Sequence, residues 1–197
     1  MGTLYNDETN RPFLQTFKFV GADLFFNLSG NQNSSFYEKG VDLLEQILGK
    51  EVFRKYVNVL LTDRGSEFTA ADAIETSANG TRRTRVFYCD PMQSGQKGSL
   101  ENKHIELHYI LPKRKNLRNL GLVDQRALNL VLSHVDSVPV KKLGRKSPLD
   151  AADFMYHDLY EKLTTFGLQK IEKDNVILKP YLLKKQTIIT GGCQDIP

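Results

Sequence analysis

Cysteine is nearly absent: Cys89 and Cys193 are the only two in 197 residues, far apart and in no CxxC or Cys/His spacing, which excludes a zinc finger or a disulfide framework. A reducing compartment suits such a chain. Long apolar runs are also missing, none approaching the ~20 residues of a membrane span. The opening residues Met1-Gly2-Thr3-Leu4-Tyr5-Asn6-Asp7-Glu8 turn polar at once, unlike a secretory leader. Internal repeats and low-complexity tracts are absent too, which excludes a repeat array. The expectation is therefore a soluble, cytoplasmic protein. Its length suits one well-buried domain, and 40% hydrophobic with 25% charged residues is ordinary for a globular chain. The net charge of +4 favours a polyanionic partner without specifying one.

Periodicity orders the chain. Met1 to Leu4 reads as the tail of a strand, followed by a polar turn. Residues 13–20 and 22–28 read as two strands of a hairpin turning on Gly21. Helical spacing then takes over, with Tyr37, Val41, Leu44 and Leu48 on one face of a helix that stops near Gly49. The apolar run of Val57, Val59, Leu60 and Leu61 reads as a strand that delivers Asp63 to its C-terminal lip before the chain turns on Gly65. A polar helix over 69–78, a strand over 84–88 and a glycine-containing loop over 90–98 come next. Gln96 to Tyr109 is helical in period, with Glu101 near its first turn. Leu117 to Val135 and Leu149 to Phe166 are expected as helices, and Ile171 with Val176 to Leu178 as a short strand in a tail.

Three blocks in this stretch resemble a known family: Leu61-Thr62-Asp63-Arg64-Gly65-Ser66-Glu67-Phe68, the run from Tyr88 to Asn102, and Leu111-Pro112-Lys113. They resemble bacterial insertion-sequence transposases with a retroviral-integrase-like catalytic core, closest to the insertion-sequence family numbered thirty. Lys142-Leu143-Gly144-Arg145-Lys146-Ser147-Pro148 resembles the element that follows the core in that family. The resemblance implies an α/β fold of ribonuclease-H type, a mixed sheet flanked by helices, with residues 1–166 as the catalytic core and 167–197 as an extension. It further implies metal-dependent cleavage and joining of double-stranded DNA, both element ends and target, by a nucleoid-associated protein able to form homo-oligomers. Two Mg²⁺ or Mn²⁺ ions would serve the complete enzyme, because in-line displacement at phosphorus uses hard carboxylate oxygens to hold such a pair.

By the same resemblance Asp63 and Glu101 are catalytic metal ligands. A third acid belongs to the first strand, and Met1 reads as starting a few residues after it; Asp7 falls in a turn and Asp23 in the second hairpin strand. The chain is thus expected as an N-terminally truncated transposase core, inactive as it stands, or as a non-catalytic DNA-binding remnant. A ribonuclease-H-like nuclease unrelated to transposition fits the 90–101 block less well. Glu106 rivals Glu101, yet five positions on a helix turn it about 140° away, toward solvent. His104 and His108 have i, i+4 spacing, but Ile105 stands where the zinc-protease motif needs glutamate, so packing or DNA contact is expected of them. Lys97, Lys103, Lys113, Arg114 and Lys115 carry the charge that phosphates need near the acids, with Arg118 beside them. Lys141, Lys142, Arg145 and Lys146 form a second basic group.

Overall fold

A computed structural model describes residues 1–4, 13–30, 36–62, 71–77, 79–90 and 98–184. The architecture is mixed α/β. An antiparallel sheet orders its strands β1 (Gly2–Leu4), β2 (Phe13–Phe19) and β3 (Leu24–Gly30), with Gly2 opposite Thr16 and Phe17 opposite Phe26. A parallel pair joins β4 (Val59–Thr62) to β5 (Arg85–Tyr88), with Val59 opposite Arg85 and Thr62 opposite Tyr88. A hydrogen bond bridges the two sheets: the amino nitrogen of buried Met1 donates to the Leu61 carbonyl at 2.6 Å.

β2 and β3 bury both faces, which is why Phe25 and Phe26 are adjacent in sequence and both fully enclosed. Each such ring contributes about 1.5–3 kcal/mol of transfer free energy. Side chains alternate across the sheet. Gln15 points to α1 (Phe36–Leu48), whose Gly40 lies so close that an added Cβ would fall 1.6 Å from the Gln15 Oε1. Thr16 points the other way, to α4 (Gly98–Ile110), where its hydroxyl lies 3.2 Å from the His104 Nε2. Beside α4 and packed on β3 runs α5 (Gln125–Asp136), capped by Asp124, whose carboxylate accepts from the Ala127 N–H at 2.8 Å.

The sequence pattern located most elements and misjudged several. The hairpin turns over Val20–Asp23 rather than on Gly21 alone, and Asp23 sits in that turn at φ 56 instead of in the second strand. A short helix, α2 (Lys50–Tyr56), precedes β4 where only a strand was expected, because Gly49 at φ 76 restarts the helix after α1. The helix expected over 69–78 is described as α3 (Ala71–Glu75). Leu117 to Asp124 forms turns around Gly121, at φ 104, so only the second half of that apolar run is helical. The span 149–166 is two helices, α6 (Pro148–Met155) and α7 (His157–Thr165), broken at Tyr156, whose ψ of 50 leaves the helical range. The strand expected near Ile171 is absent among the described residues; a single 3₁₀ turn, Lys173–Asn175, stands there.

Residues 168–184 pack into the same core through Leu168, Leu182 and Leu183. They are tied to α5 by the Gln169 N–H to the Ser133 hydroxyl at 2.9 Å and the Ile177 N–H to His134 Nδ1 at 3.0 Å. No helix among the described residues is long and apolar enough to cross a membrane.

Candidate active site

The site is built where β4 ends and α4 begins. β4 terminates at Thr62, so Asp63 is the next residue of the chain; Asp63 itself lies outside the described residues, as does Lys97. Glu101 is exposed in the first turn of α4. The helix is anchored by the stripe Leu100, Lys103, Leu107, Ile110 and Leu111, all buried, a spacing of three and four that faces the sheet. Glu101 flanks that stripe one turn before His104, and His104 touches both Thr16 and, edge to face at 5.6 Å, the ring of Phe25. The carboxylate is thus held on an exposed turn of a helix whose rotation is fixed from beneath.

Lys103 is a correction. Expected on the exposed basic face, its side chain is only 2% exposed, and its ammonium donates to Glu106 Oε2 at 2.8 Å. Position 103 belongs to the core-facing stripe, three after Leu100 and four before Leu107, and that spacing alone could have revealed it. Glu106 is accordingly half-buried rather than fully in solvent, and its charge is spent on Lys103. Lys113, Arg114 and Lys115 are exposed in the turn after α4, as is Arg118. The second basic group is also exposed, with Lys142 donating to Asp23 at 2.6 Å. His108 meets the end of its own helix, its Nδ1 3.0 Å from the Leu111 carbonyl.

Two features escaped the sequence. Asp136, at the end of α5, is fully buried and accepts from the Phe25 N–H at 3.1 Å. Burial pushes its carboxyl well above the usual range, against the pull of the Lys103 ammonium and the Phe25 hydrogen bond. The second feature is the contact of Met1 with β4: its ammonium donates to the Leu61 carbonyl at 2.6 Å, one residue before Thr62 closes the strand. Gly2 is the partner of Thr16, on the α4 side of the sheet. No group of three His, Cys, Asp or Glu suited to a metal ion occurs among the described residues. No protein family, curated protein or solved structure matches this chain.

Proposed function

We propose that the chain is the catalytic core of a DDE-type DNA transposase, of ribonuclease-H-like fold, with Asp63 and Glu101 as two of its three metal-binding acids. The observation that carries this reading is the placement of Glu101, exposed on the first turn of a helix that His104 fastens to Thr16 beside Gly2. The bond from Met1 to Leu61 supports the strand order β3-β2-β1-β4-β5, which sets β1 next to the strand that leads into Asp63. Hard carboxylates on neighbouring strand ends and a facing helix suit Mg²⁺ or Mn²⁺. When bound, such ions activate a water or 3′-hydroxyl and steady the leaving oxygen at phosphorus. Within this reading Asp63 and Glu101 supply ligand oxygens, while Lys113, Arg114 and Lys115 hold the duplex by its phosphates.

Gly2–Leu4 of β1 carries no carboxylate, and position 2, the partner of Thr16 on the α4 side of the sheet, is where a third acid can be tried. A single observation thereby favours the second reading, a DNA-binding remnant without strand-transfer activity: β1 holds no carboxylate. The test is Mg²⁺-dependent nicking and joining of supercoiled plasmid by the parent chain and by Gly2→Asp. The parent is expected to be inactive and Gly2→Asp active, with activity abolished by adding Asp63→Asn or Glu101→Gln and largely kept with Glu106→Ala. The changes should be non-additive, since the acids act as one unit. Nicking that survives Glu101→Gln refutes the site. An inactive Gly2→Asp chain that still binds DNA leaves the remnant reading in place.

A further inference from the structure

α5 ends with Asp136 beside Phe25, and the chain then closes a loop over residues 140–146 against the turn between β2 and β3. The loop is tight. The Val140 N–H donates to the Lys146 carbonyl at 3.0 Å, the Arg145 N–H returns to the Val140 carbonyl at 3.1 Å, and a 3₁₀ turn, Lys141–Leu143, lies between them. Gly144 at φ 62 and Arg145 at φ 65 make the reversal, two left-handed residues in a row. Glycine adopts that conformation freely, whereas an arginine is strained in it. Leu143 turns inward against the core, and Lys142 donates to Asp23, a buried carboxylate that also holds Lys18. The backbone is thus fixed both within the loop and from beneath it.

What the loop presents is charge. Lys141, Arg145 and Lys146 are exposed, and among the described residues no carboxylate or other side-chain partner engages them. The nearby acids are already committed: Asp23 to Lys18 and Lys142, and Asp150 of α6 to Lys170 at 2.6 Å and the Ser147 hydroxyl at 2.8 Å. Three unpaired cations on one rigid turn repel one another, and the strained arginine adds to the cost; an anionic partner offsets both. The two apolar residues of the loop, Val140 and Leu143, are half-buried, so a lipid surface would gain nothing from them by insertion.

We propose that the 140–146 loop is a second phosphate-holding surface for duplex DNA, formed by Lys141, Arg145 and Lys146 and separate from the turn at 113–115. It rests on the DNA-binding part of the reading above and not on its chemistry. The two basic turns come before and after α5, whose 12 residues span about 18 Å, so they are distinct points of contact. Contacts at both fix the protein on the phosphate backbone and carry no base sequence.

The experiment follows a labelled duplex of random sequence by fluorescence anisotropy across a salt series. Lys141→Ala, Arg145→Ala and Lys146→Ala combined should lower the slope of log affinity against log salt by about two to three units, because each phosphate contact contributes about 0.9. Arg145→Gly separates DNA holding from folding. Its melting midpoint should stay or rise, since glycine accepts φ 65 without strain, while affinity at low salt falls about 3- to 10-fold. A glycine variant that melts lower and binds as tightly gives Arg145 a purely structural role and overturns the proposal. So does an unchanged slope in the triple variant where replacing Lys113, Arg114 and Lys115 flattens it, a result that leaves the DNA reading standing without this surface. A parent chain that binds no duplex at low salt overturns both together. Weaker capture of the triple variant by phosphatidylserine vesicles, with duplex binding intact, would assign the loop to a membrane surface and overturn the partner named here.

Discussion

Arg83 stands just ahead of β5, and its side chain is fully buried. Its Nε donates to the Ile74 carbonyl at 2.8 Å and its Nη2 to that of Ala73 at 3.3 Å, while Nη1 reaches Asp42 at 2.5 Å and Glu45 at 3.0 Å. One guanidinium thus ties α3 to α1 and holds the strand that flanks β4. Arg83→Met keeps much of the volume and removes a donor from two carbonyls and two carboxylates, of which Glu45 keeps the Ser77 hydroxyl. Breaking a buried pair from one side costs about 3–5 kcal/mol. Asp42 is 42% exposed and can rehydrate, so the lower end applies, about 3 kcal/mol. Urea denaturation reads this as a fall in midpoint of roughly 1.5 M for a slope near 2 kcal/mol/M. Arg82→Met is the internal control, for its side chain is 59% exposed and pairs with Glu75, and it should cost less than about 1 kcal/mol. Equal effects from the two neighbours would refute the claim that burial, not charge pairing as such, gives Arg83 its role.

Asp136→Asn should change the pH profile of stability. The folded carboxyl titrates above its unfolded value of 3.8, so the folded state binds more protons and wild-type stability falls as pH rises from about 4 toward the folded value. Chemical denaturation across pH 4 to 8 should show the variant gaining on the wild type as pH rises, and a constant difference would sink the assignment. Replacing Lys113, Arg114 and Lys115 together with alanine should flatten the salt dependence of DNA binding by about two to three units of slope. Lys103→Ala, by contrast, should lower the melting temperature and leave that slope alone; the reverse pattern in fluorescence anisotropy titrations would return Lys103 to the DNA face. Gly121→Ala should cost about 1–3 kcal/mol by thermal melting, because φ 104 is strained for any side chain and an added Cβ would meet the Leu183 Cβ at 2.9 Å. A neutral result would mean that the segment around Leu183 is not held by this contact.

Local chemistry made some of this molecule legible in one dimension. The helix expected from Leu149 begins at Pro148, and the structure has a reciprocal cap there, the Asp150 N–H donating to the Ser147 hydroxyl at 3.1 Å. The alternation in Phe13–Phe19 and the three-four spacing in Phe36–Leu48 give β2 and α1 because each pattern fits only one period. The exposed turn of Glu101 follows from the same spacing. What the pattern left open depends on residues far apart in sequence. Tyr156 breaks the helix over 149–166 where its ring packs edge to face on Tyr56, a hundred positions away. Lys103 is buried because Glu106 beside it and a carboxylate on α5 make a charge tolerable there, and a lysine at a core position looks like a surface residue until those partners are placed. The contact of Met1 with β4 is a hydrogen bond between residues 1 and 61, and which neighbour a strand meets is set by tertiary pairing, since a strand's own sequence gives its faces but not its partner or how far it slides.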